Sequence, residues 1–301
     1  MPELVMKNIL GNVGLQSILK LRLVCKHFYD CIQLLQPNIH LNSISLEISP
    51  NLLICDIELK ECQSIGVICR KTEDGYFLHR RNRKLTKLIK TQDFYTEFRE
   101  VFNLLLKYQR ALLQRFSINF ESDGDIKIFE ELVHILKAKR RFLQVETIDI
   151  SLLEYLQAVQ VLTYIHPETL KTLNFHIYSE KCNDLDLLEI VKLKQWRLAS
   201  NLNISSFAAS ISVSYFIQSN CSIFIQSSRM QYFIIYNRCI SQEIVQEAFG
   251  SSNNWEPNQV WYFRIPEASK ILTIMFCVNS HIQFFKLDLS SIPRNSIISS
   301  S

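Results

Sequence analysis

Four short runs in this chain share one pattern, an apolar residue, then Asn or Asp, then an apolar residue. They are Ile118-Asn119-Phe120, Ile148-Asp149-Ile150, Leu173-Asn174-Phe175 and Leu202-Asn203-Ile204, and their first members lie 30, 25 and 29 residues apart. Alternation of this kind has the period of a strand. The stretches between, Ile126 to Arg140, Ser151 to Tyr164 and Leu185 to Lys194, read as helices. Each unit is therefore a strand followed by a helix. Units of this length return the chain through crossovers, so the pattern predicts a parallel sheet with right-handed connections. Stacked side by side, such units form a curved arc with strands on the concave side. The alternative is an open α/β sheet whose strands happen to be evenly spaced.

The period resembles that of leucine-rich repeats. The long consensus of that repeat is not intact in any unit. Val145 and Leu170 supply the earlier apolar position in two units, and Arg115 and Ala199 occupy it in the others.

Upstream the period is two. Ile44, Leu46 and Ile48 alternate with Ser and Glu, Pro50-Asn51 turns the chain, and Leu52–Leu59 and Ile65–Cys69 follow. Glu73-Asp74-Gly75 is a hairpin signal. Residues 41–90 are expected to hold a small antiparallel meander of three or four strands and a basic linker. The cations of that linker are Arg70, Lys71, Arg80, Arg81, Arg83, Lys84, Lys87 and Lys90. They read as a solvated loop and helix face, with a nucleic-acid or nuclear-import patch as the rival reading. Asp93 is the expected N-cap of a long amphipathic helix running to about Gln114. Downstream of the repeats, a helix through Glu243 and Phe249 is expected, then three strands, Val260–Ile265, Ile271–Val278 and His281–Leu287. A Ser-rich tail over 290–301 is expected to be disordered.

The opening 36 residues, MPELVMKNILGNVGLQSILKLRLVCKHFYDCIQLLQ, carry three apolar stripes. Val5, Ile9 and Val13 recur every four residues. Gly11, Asn12 and Gly14 interrupt them, and Ser17 is a plausible N-cap for a second helix through Ile18 and Leu21. The third stripe is Leu21, Val24, Cys25, Phe28, Ile32 and Leu35. So short a segment cannot bury this much apolar surface internally. Pro2, Leu4, Val5, Ile9, Leu10, Leu21, Val24, Cys25, Lys26 and Phe28 stand in the order and spacing of an F-box, which this segment resembles. That module has three helices and binds the Skp-type adaptor of cullin-based ubiquitin ligases. Met1 stands where the family usually has a Leu before the Pro. The resemblance implies that these ten residues contact the adaptor or hold the helices together.

A second resemblance lies downstream. Leu188 to Ile204 contains Gln195-Trp196-Arg197 after a short helix and before a strand, and it is similar to the FTH domain of nematode F-box proteins. Ala248-Phe249-Gly250, Trp261 to Pro266 and Ile282-Gln283-Phe284 fit the same pattern. The likeness spans about Val133 to Asp288 and is strongest over 195–266. Trp196 is expected to be a core anchor between repeats. Of Trp255 and Trp261, one is expected to be exposed.

Composition narrows the function. Glycine numbers only 6 in 301 residues, which disfavours phosphate-cradling loops. A net charge of +4 is far below that of a dedicated nucleic-acid binder. The 9 cysteines are scattered without a C-x-x-C pair, which suits a reducing interior and argues against metal. Cys55, Cys62 and Cys69 fall at even sevens, wider than structural zinc pairs. No catalytic motif is present, and the acidic pair Glu130-Glu131 reads as solvated charge. No secretory leader or membrane-length apolar run is seen, so the chain is expected to be intracellular.

The expected architecture is α/β, α+β overall: an F-box over 1–36, the meander and linker over 41–90, a repeat-like substrate domain over 91–289, and the tail. The resemblances imply a non-catalytic, cofactor-free subunit that recruits an unknown protein substrate to a Skp–cullin–F-box ligase, without nucleic acid or membrane as partner. Its substrate-binding residues are not identified. The alternatives are an interaction scaffold outside any ligase, or a nucleic-acid-binding repeat protein using Arg80 to Lys90.

Overall fold

Ile44, Leu46 and Ile48 are fully buried, while Ser45 and Glu47 between them are only half so. One face of that segment meets a core and the other does not, which is the condition for a strand. The computed structural model describes residues 3–35, 37, 40–59, 64–80, 86–121, 126–139, 141–152, 155–177, 190, 192–206, 224, 229–237, 242–250, 253–255, 258–265, 270–277, 281–293 and 298–300. These fall into two units. The first comprises Met1–Ser117 and Asp123–Val145, the second Ile118–Ser122 and Glu146–Ser301.

In the first unit, helices α1 (Glu3–Gly11), α2 (Leu15–Val24) and α3 (Lys26–Leu35) precede a meander. Its strands are β1 (Leu41–Ser49), β2 (Leu52–Leu59), β3 (Ser64–Thr72), β4 (Gly75–Arg80) and β5 (Thr86–Ile89). Each pairs antiparallel with the next. The meander thus has one strand more than expected. Residues 86–89, expected within a loop and helix face, form that fifth strand. Arg81, Arg83 and Lys84 lie outside the described residues.

Helix α4 (Thr91–Tyr108) starts two residues before the expected cap Asp93, with Lys90 as its N-cap. It ends well before Gln114, because Leu113 already opens strand β6 (Leu113–Phe120). Helix α5 (Ile126–Ala138) follows and buries Ile128, Phe129, Leu132, Ile135 and Leu136. Gln109, just past α4 and buried, donates Nε2 to Leu41 O (3.2 Å) and Ala111 O (2.9 Å), and its Oε1 accepts from Leu41 N (2.9 Å). One side chain therefore locks the start of β1 to the end of α4. Lys139, past α5, donates Nζ to Leu106 O and to Gln109 O (3.2 Å), carbonyls that the end of α4 would otherwise leave unpaired. Glu131, expected to be solvated, instead accepts a two-pronged ion pair from Arg99 of α4. The Arg99 hydrogen bonds hold its carboxyl below the usual range.

The second unit contains the repeats. β7 (Val145–Leu152), β8 (Thr172–Ile177), β9 (Asn201–Ser206) and β10 (Tyr232–Asn237) lie parallel in that order. Ile118 to Phe120, the end of β6, come next to β7 in the strand order. Helices α6 (Tyr155–Leu162) and α7 (Lys194–Leu198) fall between strands; most of the helix expected over Leu185 to Lys194 lies outside the described residues. The register aligns the repeated tripeptides. Ile148 sits opposite Leu173, Leu173 opposite Leu202 and Leu202 opposite Phe233. All four are buried.

The central polar residues form their own rung. Asn174 Nδ2 donates to Asp149 Oδ1, and Asn203 Nδ2 donates to Asn174 Oδ1 at 2.6 Å. A second series of bonds sets the strand starts. Lys171 N donates to Glu146 O, Ser200 N to Lys171 O and Gln231 N to Ser200 O, each at 2.8 Å.

β10 is a further repeat that lacks the polar centre of the tripeptide. Its Phe233-Ile234-Ile235 lies in register with Leu202-Asn203-Ile204, but Ile234 replaces the polar centre. The ladder therefore stops at Asn203, whose Oδ1 is buried without a hydrogen-bond partner.

Three antiparallel strands, β12 (Asn258–Arg264), β13 (Lys270–Cys277) and β14 (His281–Asp288), follow helix α8 (Gln242–Phe249) and the short β11 (Asn253–Trp255). β14 pairs with β10. Trp196, Phe224 and Phe284 gather around Phe233, with centroids 6.4, 6.5 and 5.1 Å from its ring. Trp196 is buried, as a core anchor would be. Trp261 is also buried, and its Nε1 donates to Gly250 O at 3.0 Å; it is not the exposed tryptophan expected. The Trp255 side chain lies outside the described residues. The tail expected to be disordered contains β15 (Ile298–Ser300), which pairs parallel with β12.

Two expectations for stability follow. Burial lowers the Lys139 pKa to about 8, against 10.5 when unfolded. Between those values the native chain binds fewer protons than the unfolded chain. Stability should then rise with pH across that window, by up to about 1.4 kcal/mol per unit, and not below it. Urea midpoints of the wild type should climb between pH 8 and 10.5 relative to those of Lys139→Met. In the ladder, Asn174→Val removes a donor to Asp149 and the acceptor of Asn203. It should cost about 2–4 kcal/mol in denaturant unfolding.

Candidate functional site

Among the described residues, four fill the space between the three opening helices. Met6 and Leu10 of α1, Ile18 of α2 and Ile32 of α3 are each no more than 2% exposed. Both α1 and α2 pack against α3. Gly14, in extended conformation, is the N-cap of α2 and makes no side-chain capping bond. Ser17, the expected cap, already lies inside that helix. Cys25 is extended too (φ −162°, ψ 162°), so the stripe Leu21 to Leu35 is divided between two helices rather than running along one. Arg22 places its guanidinium 5.0 Å from the Tyr29 ring centroid, a cation–π contact across that break. Gln33 of α3 accepts from Lys107 Nζ of α4 at 2.8 Å.

The predicted stripe on α1 faces outward. With Met6 and Leu10 turned in, Leu4, Val5 and Ile9 are 69%, 44% and 42% exposed. Val24 at the end of α2 is 66% exposed, and Cys25 and Lys26 are exposed beside it. Leu21 and Phe28 are half-buried. Pro2 lies outside the described residues. Leu10, at 1% exposure, is core, which is the second of the two roles the resemblance implies for these ten residues.

Two residues were overlooked. Tyr29 (41% exposed) and Leu34 (74% exposed) on α3 also present apolar surface. Leu34 lies off the stripe that buries Ile32, and a large apolar residue on the wrong side of an amphipathic helix is a readable sign of an external contact.

The chemistry available here is packing rather than bond-making. Cys31 and His27 approach within 3.6 Å on the surface of α3, two groups where a structural metal site takes four. Among the described residues no group of three or more potential metal ligands occurs. Cys55 and Cys69, on β2 and β3, have thiols pushed up to about 12, in both chiefly by burial; Cys62 lies outside the described residues. No described helix is long and apolar enough to cross a membrane.

No curated protein and no solved structure matches the chain. Two family models do. The F-box domain matches residues 1–40, which span all three helices, and the FTH domain matches residues 126–235, from the start of α5 into β10. The second range includes Gln195-Trp196-Arg197 and the ladder strands β7 to β9. It stops before Ala248-Phe249-Gly250, Trp261 to Pro266 and Ile282-Gln283-Phe284. The chain thus carries an F-box domain and, downstream of it, an FTH domain.

Proposed function

We propose that this protein is the substrate-recruiting subunit of a Skp–cullin–F-box ubiquitin ligase. The observation that carries the reading is the outward apolar side of α1 to α3 within the F-box match. Leu4, Val5, Ile9 and Val24 stay in water unless another polypeptide covers them, at roughly 25 cal/mol per Å² of apolar surface. The Skp-type adaptor is the partner that an F-box implies. Leu4, Val5, Ile9, Val24, Cys25 and Lys26 are the proposed contacts, joined by Tyr29 and Leu34. Leu21 and Phe28 sit between contact and core, and Pro2 is retained from the motif.

The role is positional. One end of the chain would engage the adaptor and cullin, while the repeat-like region, with FTH character over 126–235, holds a target protein. Its stacked strands suit a broad protein surface, as repeat arrays do. Holding the target's lysines near a charged conjugating enzyme raises their effective concentration without any chemistry in this chain.

The test separates contact from core. Leu4→Asp with Ile9→Asp should leave the chain folded and abolish co-purification with the adaptor. Each residue is worth about 2 kcal/mol at a hot spot, roughly thirtyfold in affinity. Leu10→Ala should instead cost about 2–5 kcal/mol of stability. Undiminished adaptor binding by the double variant would overturn the assignment.

A further inference from the structure

We propose that the outer edge of β5 is a docking site for an extended acidic peptide, which would join the sheet as one more strand. The inference does not rest on the adaptor reading, since β5 lies outside the F-box match. Three observations converge on it.

The edge is open. β5 is the terminal strand of its sheet, and among the described residues only β4 pairs with it. Among the described residues no strand pairs with its far side, whose backbone donors and acceptors are the template on which strand addition works.

The strand is held in place, and it offers side chains as well as backbone. Ile89 is buried opposite Tyr76, whose ring stacks on Phe94 at 3.8 Å. One step along, Phe77 and Leu88 are paired across β4 and β5 and are 41% and 46% exposed. They give an incoming strand an apolar contact on alternate positions. Gly75 shows how closely β5 is seated. At φ +147° it lies so near that a Cβ would collide with the Ile89 carbonyl oxygen.

Charge selects the occupant. From Arg70 to Lys90 the sequence has eight cations, of which Arg81, Arg83 and Lys84 lie outside the described residues and Arg70 and Lys71 lie on β3, and two anions, Glu73 and Asp74. The anions sit in the β3–β4 turn, beside the Ile89 end of β5. Arg80 and Lys87 sit toward the other end, and Lys90 is exposed just past the strand. Such an edge repels a second copy of itself and attracts an acidic strand. A nucleic acid would meet the charge but could not use the backbone edge.

The experiment uses the full chain and a fluorescein-labelled eight-residue peptide of alternating valine and glutamate, followed by fluorescence anisotropy. Saturable binding is expected. It should weaken by about tenfold or more with Lys87→Glu plus Lys90→Glu. It should weaken similarly with Gly75→Ala, which leaves the charge untouched; circular dichroism checks that each variant is folded. Peptides N-methylated at the odd or at the even amides keep the same charge, and at least one of the two should lose binding. Oligo-dT of equal net charge should bind at least about tenfold more weakly. If both methylated peptides bind as the parent does, if oligo-dT binds as tightly, or if the parent peptide does not saturate, the proposal is overturned.

Discussion

The repeat region depends on the in-register stacking of Asp149, Asn174 and Asn203. A parallel strand slipped by one residue would turn its apolar positions to the other face. The ladder opposes that slip. Asn can donate to one neighbour and accept from the next, so a row of Asn side chains pairs only when the strands are aligned. Asp149 is an acceptor when ionised, which makes it a fitting terminus for a row whose amides all point one way. The apolar rows on either side, Ile148 with Leu173 and Leu202, and Ile150 with Phe175 and Ile204, then fall into line. The hydrogen bonds specify the alignment, and the buried rows supply most of the stabilisation.

Much of this was legible because the ladder needs a particular residue at a particular place. A tripeptide with a polar centre, recurring every 25 to 30 residues, is rare enough to be noticed. β10 escaped for the same reason. At its central position Ile234 packs where an Asn would have paired, so the polar marker vanished although the strand remained. The meander was legible from its two-residue period. β5 was not: Thr86 to Ile89 is four residues long and sits among lysines, and only its pairing with β4 makes it a strand.

Helix ends were read less well than helix faces, and the physical cause is visible. Asp93 and Ser17 have the side chains that cap helices, yet the helices begin upstream, at residues whose N-caps are Lys90 and Gly14 and make no side-chain bond. Local capping preference is worth about 1 kcal/mol. Burying Phe94 against Tyr76, or Ile18 among the opening helices, outweighs it. The same competition closes α4 early. Leu113 is fully buried as the first residue of β6, and a helix continued to Gln114 would have forfeited that place.

Two parts of the chain break the ordinary division of apolar inside and polar outside, and they break it in opposite senses. In the ladder, polar groups lie buried or half-buried between strands and pair with one another up to the last acceptor, Asn203 Oδ1, which has no partner, so the exception lies within the chain and reads as structure. In α1 to α3, large apolar groups are left outward, and nothing among the described residues of the same unit covers Leu4, Val24 or Leu34. An inward polar group lacking a partner would raise the free energy of the fold. An outward apolar group costs folding little but leaves burial energy unspent. That asymmetry is why Leu4 and Val24, rather than Asp149, are the residues proposed to meet a second polypeptide.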